Sequence, residues 1–394
     1  MSTTPTRSHI PAIDGLRTVS ILAVISSHGV HTLQGLFGRG GWLGVDVFFV
    51  ISGFLITRIL FNSWHKGDLG LKSFYLNRVL RIIPALYTLL AITAIFNPFH
   101  VNSKDLFLPM LIGATFMGDY FPDLIKHAGL GITWSLGVEE KFYLCFPFLF
   151  FAYLKSRKLI YLLLPYLSIF AWKAYLLTQK TNWERMTLAF DTRFDVIFAG
   201  VFGAIILHQI LQKPATSKYL APLLKNNWYS LAAGTIAIVF MRKLHHPTEI
   251  NGLGAQILYW LAWMPAFNWL IASLCVSLTL NTKSLLARFL SLPPIVYIGK
   301  ISYSLYLWHI LAFELVNQYA MPRYSLQQLD HNRAILDTAY LLFALAFAAC
   351  SYHFIEKPFL RLKKNSSDPL PESRTSQISM AADSAKDSEM VSSK

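Results

Sequence analysis

The chain has 394 residues, of which 54% are hydrophobic and only 14% charged, with a mean hydropathy of +0.43. That leaves too little polar surface to cover a soluble globule, and the apolar residues come in blocks long enough to cross hydrocarbon, which takes roughly 20 residues at about 1.5 Å rise each. The formal net charge of +14 does not read as a nucleic-acid footprint, because the basic residues sit mostly between apolar blocks, where membrane topology accounts for them.

A transmembrane barrel would need alternating segments of roughly ten residues, and the sequence shows none, so an all-α, polytopic helical bundle is expected. Candidate spans fall at about 10–30, 43–61, 82–96, 140–154, 159–177, 196–211, 228–241, 253–280, 294–316 and 334–355. No small-residue cleavage pattern follows the first apolar stretch, which is therefore a retained span rather than a signal peptide. This divides the chain into an N-terminal tail over residues 1–9, a membrane domain over 10–360 and a tail over 361–394. The last is rich in Ser, Asp, Glu, Lys and Ala, and too poor in large apolar residues to offset its ordering entropy.

An eleventh apolar stretch, 106–121, contains Pro109, Gly113 and Gly118 and decides the topology. If it is re-entrant or interfacial, the basic clusters around Arg78 and Arg81, Lys155 to Lys158, Lys213 to Lys225, Lys283 to Lys300 and Lys357 to Lys364 share one side. Both termini are then cytoplasmic, and Arg185, Arg193, Arg242 and Lys243 fall in outer loops. Cys145, Cys275 and Cys350 lie in apolar stretches without metal-ligand spacing and read as packing residues, so no metal is expected.

Charges inside a membrane span are costly and are by default functional or paired. The first span carries Asp14, Arg17 and His28. Arg17 and His28 are eleven residues apart, about 16 Å of helical rise and about 20° of rotation, so they share one face at two depths. A neutral imidazole there can accept a proton near physiological pH; the alternative is that Arg17 snorkels to headgroups and His28 caps the helix. In the second span, GWLGVDVFFVISGFLIT, Asp46 is the only charge and needs a partner, for which the first span offers cations; Gly44, Ser52 and Gly53 suit close helix packing. At the start of the third span, YLNRVLRIIP places Arg78 and Arg81 three residues apart, as a phosphate-binding fork or a positive-inside anchor. In TWSLGVEEKFYLCF, Glu139 and Glu140 enter an apolar run, so at least one faces the interior unless both mark the wet edge. In GKISYSLYLWH, Ser302, Tyr306 and His309 form an i, i+4, i+7 stripe, which with Tyr303 implies a cavity, a path or a partner helix.

Together these motifs resemble the acyltransferase 3 family, the membrane acyltransferases that include O-antigen and exopolysaccharide O-acetyltransferases. The resemblance rests on IPAIDGLRTVSILAVISSH, GWLGVDVFFVISGFLI, RVLR, TWSLGVEEKFYL, SYSLYLWH and the late FIEKPF, over roughly residues 10–359. It implies a ten-helix domain of a bacterial inner membrane that takes an acyl group, acetyl foremost, from acyl-CoA (acetyl-CoA) on the cytoplasmic side. The acceptor it implies is a hydroxyl of a carbohydrate or glycolipid at the outer side. By matching position, the resemblance makes His28 the catalytic histidine, Arg17 its motif partner and Arg78 with Arg81 the acyl-CoA contacts. Glu139, Glu140 and Asp46 become further catalytic positions, and Ser302, Tyr303, Tyr306 and His309 lie along a substrate path. Lys141 stands where members often carry glutamine, and no extracellular hydrolase-like domain follows the last predicted span. The competing class is a transporter or flippase without covalent chemistry, since charges at mid-membrane depth and a polar stripe also describe a substrate pathway.

Overall fold

With no water in hydrocarbon to satisfy backbone groups, these apolar blocks can only close their hydrogen bonds internally, and they do so as helices. The computed structural model describes residues 9–66, 70–212, 218–244, 246–320, 323 and 331–362, and among them no strand occurs. The tail expected over 1–9 therefore lies almost wholly outside the described residues, as does that over 361–394 beyond Leu362.

Ten long helices make the bundle: α1 Pro11–Ser27, α2 Gly44–His65, α3 Leu71–Phe96, α4 Thr133–Ser156, α5 Ile160–Thr178, α6 Phe190–Gln212, α7 Asn227–Lys243, α8 Leu253–Leu280, α9 Ser302–Ala320 and α10 Arg333–Arg361. Helices α8 and α10 each pass through a π-turn, at Tyr259–Trp263 and Tyr352–Glu356. Among the described residues six stretches are long and apolar enough to cross a membrane: His31–His65, Leu71–Phe96, Ile160–Thr178, Trp183–Gln212, Leu253–Leu280 and Arg333–Arg361. The protein is thus an all-α membrane protein. Of the other long helices, α1 and α7 are only 17 residues each, while α4 and α9 carry the polar side chains described below.

The stretch 106–121 is not one helix. Ser103–Ala114 is helical for 12 residues, about 18 Å and well short of the roughly 30 Å hydrocarbon core. Its C-terminal end meets α3, where the Tyr87 hydroxyl donates to the Ala114 carbonyl (3.2 Å), and a turn and the short helix Pro122–Lys126 then lead into α4.

One backbone-to-backbone crossing in the bundle joins α2 to α6. A β-carbon on Gly53 would lie 2.1 Å from the Ile197 carbonyl oxygen, and one on Gly200 would lie 2.0 Å from that of Val50. Neither position admits a side chain, so backbone meets backbone, as the small residues of the second span suggested. This crossing fixes where the next residues on both helices, Asp46 and Arg193 among them, must meet.

Candidate functional site

Two chambers lie within the bundle and share two wall residues. The first, of about 130 Å³, is lined by Arg17 of α1, Ser52 of α2, Arg78 and Arg81 of α3, Glu139 and Tyr143 of α4, and Ser302, Tyr303 and Tyr306 of α9, against the apolar side chains of Phe48, Ile51 and Leu55. Arg17 Nε donates to Ser302 Oγ (3.2 Å), and Ser52 Oγ donates to Glu139 Oε1 (2.6 Å). The Arg78 guanidinium sits 5.0 Å from the Tyr143 ring centroid and 5.6 Å from that of Phe74, a cation–π cradle that leaves its N–H groups for a ligand. The Tyr303 hydroxyl donates to the Ile82 carbonyl (2.9 Å), tying α9 to the arginine-bearing start of α3. Three guanidiniums around one carboxylate give the chamber a positive excess suited to phosphate oxygens.

The second chamber, of about 700 Å³, holds His28. His28 caps α1, and its Nδ1 lies 2.9 Å from the Val24 carbonyl oxygen. A carbonyl only accepts, so Nδ1 must carry the proton, and Nε2 of the neutral ring holds the lone pair. Ser27 Oγ flanks the same nitrogen at 3.4 Å while donating to Val24 O, and so helps hold the ring. The ring meets that of His309 edge to face, with centroids 4.9 Å apart. His309 is fully buried, with Nδ1 held by the Tyr306 carbonyl (2.7 Å) and Nε2 without a partner.

Val45 and Tyr306 belong to the walls of both chambers. The Tyr306 hydroxyl donates to the Ile132 carbonyl (3.0 Å) and pairs with Ser135 Oγ (2.8 Å), so its ring stands as a fixed post where the chambers meet. Arg17 and His28 therefore line different chambers that share a wall.

The remaining sequence candidates fall elsewhere. Glu140 lies outside both linings, with Oε1 buried and unpartnered. Asp46 lies on the wall of the larger chamber, yet its partner is not a first-span cation but Arg193 of α6, with which it forms a buried ion pair. This also corrects the placement of Arg193 in an outer loop: it is inside α6 and 1% exposed. Beside this pair, Lys173 of α5 donates to Asp195 (2.7 Å), so four buried charges balance. The signal that could have found them was present, since Lys173 is the only charge in its predicted span. Sequence reasoning gave Ser52 only a packing role and missed Ser135 and Tyr143, ordinary residues in an apolar run, and Glu356 of FIEKPF, which is buried in the α10 π-turn and accepts from Ser304. Such π-turns occur often at functional sites.

Lys141 is tied to the turn that follows Ser103–Ala114. Its Nζ donates to the Phe116 carbonyl (2.8 Å) and to Asp119 Oδ1 (2.6 Å), while Asp119 Oδ2 accepts from the Phe190 amide (3.2 Å). Burial raises the Asp119 pKa, against the opposing pull of the Lys141 ammonium. Of the cysteines, Cys275 is packed in the core, while Cys145 and Cys350 are exposed on the bundle. Among the described residues no group of three or more His, Cys, Asp or Glu is arranged to hold a metal.

The class these features define is a helical membrane protein with an ionisable site enclosed by its helices. The chain belongs to the acyltransferase 3 family: the family model described as "Acyltransferase domain" matches residues 10–353, which bears out the motif resemblance. The chain is similar to the "Peptidoglycan O-acetyltransferase OatA" of Listeria monocytogenes, at 29% identity over 377 residues covering 91% of this chain and 56% of that protein. It is 30% identical to the "O-acetyltransferase OatA" of Staphylococcus aureus strain NCTC 8325 (89% of this chain, 57% of that one). It is 29% identical to the "Putative O-acetyltransferase SACOL0978" of S. aureus strain COL, over the same shares. The chain thus spans a little over half the length of these relatives. No solved structure matches it.

Proposed function

We propose that the protein is a membrane O-acetyltransferase, which takes an acetyl group from acetyl-CoA on the cytoplasmic side and gives it to a hydroxyl of a carbohydrate or lipid-linked glycan on the outer side of a bacterial inner membrane. The observation that carries this reading is the meeting, at Val45 and Tyr306, of an arginine-lined chamber with one that holds a histidine of fixed tautomer. Membership of the acyltransferase family and the names of the relatives supply the reaction class.

In this reading Arg17, Arg78 and Arg81 take the phosphates of the donor, and its thioester end lies toward Tyr306. The acceptor hydroxyl enters the larger chamber. His28 Nε2 removes its proton as the oxygen attacks the thioester carbonyl carbon, and the C–O bond forms as the C–S bond breaks. The thiolate leaves and is protonated to the thiol, restoring neutral His28. Because Nδ1 is held by Val24, the imidazolium formed in passing keeps one hydrogen-bond acceptor and its orientation, which preserves the geometry of attack. Glu139, bound by Ser52, balances part of the guanidinium charge. Asp46 serves by locking α2 to α6 beneath the chamber wall.

The topology belongs to the same proposal. Ten spans with residues 103–132 on the outer side put the arginine-bearing start of α3 in the cytoplasm and the His28 end of α1 toward the outer face. Basic residues clustered in alternate connections support this sidedness.

The test is labelled acetyl transfer from acetyl-CoA to surface glycan, compared between the parent and His28→Ala at equal membrane abundance. Loss of at least a hundredfold is expected for removal of a general base. Undiminished transfer would remove His28 from this role, and a parent that binds glycan without acetylating it would favour transport.

A further inference from the structure

The larger chamber has a second set of residues, on the side made by loops rather than by α1. Trp42, Trp134, Trp183 and His246 all line it. The His246 ring sits between two of the tryptophans, its centroid 5.1 Å from Trp183 and 6.3 Å from Trp42, edge to face in both cases. These rings come from three separate connections: the segment before α2, the short helix Trp183–Leu188 and the loop before the 3₁₀ turn Pro247–Glu249. The indole N–H of Trp42 is buried and has no partner, an unspent donor on the wall of an otherwise apolar cluster.

The charges on this wall are already matched. Arg39 is paired with Glu249, and Lys126 with Glu184 (2.5 Å) and Asp123 (3.1 Å). His246 is held toward its neutral form by burial, against the opposing pull of the Glu249 carboxylate and with a smaller push from Arg39. Arg39, Lys126, Glu184 and Glu249 all line the chamber, so its wall offers carboxylate oxygens and N–H groups for hydroxyls but no excess of positive charge for a polyanion.

The geometry points to a sugar subsite: Trp183, His246 and Trp42 form an aromatic platform for an uncharged pyranose ring of the acceptor, with Glu184 and Glu249 accepting from its hydroxyls and the Trp42 N–H donating to it. The assignment rests on the acetyltransferase reading above and deepens it by naming the acceptor's chemistry. A pyranose has an apolar face of C–H groups, which suits the negative face of an indole, and an edge of hydroxyls, which suits convergent carboxylates. A ring held here stands in the same chamber as His28 Nε2. The fixed lone pair and the platform together would select which hydroxyl is acetylated.

The experiment uses the full chain in detergent and measures binding of chitotetraose, an uncharged oligosaccharide, and of an anionic tetragalacturonate by calorimetry. The parent should bind chitotetraose in preference to the galacturonate. Trp183→Ala should weaken binding about 3- to 10-fold, the size of one aromatic contact, and Trp183→Phe, which keeps a ring, should recover most of it. Thermal midpoints near the parent's would show that the variants fold. If Trp183→Ala misfolds, Trp42→Phe, which keeps a ring but loses the N–H donor, should bind less tightly and carries the test. Equal chitotetraose affinity in the parent and a folded variant overturns the platform. Preference for the galacturonate overturns the uncharged ring, and binding of neither overturns the subsite. Release of coenzyme A from acetyl-CoA that depends on His28, measured separately, would sustain the acetyltransferase reading even if all three binding results fail.

Discussion

Replacing Asp46 by Leu should be among the most destabilising single changes in the bundle, and replacing Arg193 by Met in the same chain should repair most of the damage. Asp46 is 0% and Arg193 1% exposed, so both charges are desolvated in the pair and Arg193, which lines neither chamber, is left without water when Asp46 is lost. Removing one member of such a pair leaves an uncompensated buried charge and costs about 3–5 kcal/mol. The pair as a whole is worth less, because Asp46 Oδ2 and Arg193 Nε remain without partners and both ions must be desolvated. An apolar replacement of both is therefore expected within about 1–2 kcal/mol of the parent, on either side. Charge balance survives the double change, since Lys173 and Asp195 still neutralise one another. Reversible unfolding in mixed detergent micelles would give the four free energies of the double-mutant cycle. The reasoning is refuted if Asp46→Leu alone costs less than about 1 kcal/mol, or if the double variant loses the sum of the two single losses.

Two further outcomes follow from the chambers and the topology. Arg78→Ala combined with Arg81→Ala should raise the apparent KM for acetyl-CoA by tenfold or more, as loss of charge-assisted phosphate contacts would. The acceptor KM should move far less, and an unchanged donor KM would remove the arginine fork. In a chain whose three cysteines are replaced by serine, Ser73→Cys should react with an impermeant thiol reagent only from the cytoplasmic side and Lys126→Cys only from the outer side. Labelling of both from one face would overturn the proposed sidedness.

Much of the candidate site's lining was legible because a charge in an apolar run has few innocent explanations. Arg17, Arg78, Arg81 and Glu139 were singled out for that reason, and they line one chamber. The partition into two chambers was not legible, since it depends on Val45 of α2 and Tyr306 of α9, far apart in sequence, coming to one shared wall. The partner of Asp46 was missed for a related reason. Arg193 follows the polar run from Gln179 to Asp191, so by composition it belongs to a loop, and only the start of α6 at Phe190 carries it inside. The aromatic wall was invisible because Trp42, Trp183 and His246 are far apart in sequence and each is ordinary where it stands.

In the proposed reaction donor and acceptor meet from opposite faces of the membrane. Sealed inverted vesicles containing the protein, with uncharged oligosaccharide trapped inside and labelled acetyl-CoA outside, test this most directly. Labelled oligosaccharide is expected in the lumen, with none formed when both compounds are supplied only outside. Acetylation of external oligosaccharide at the same rate, with the lumen unlabelled, would contradict it.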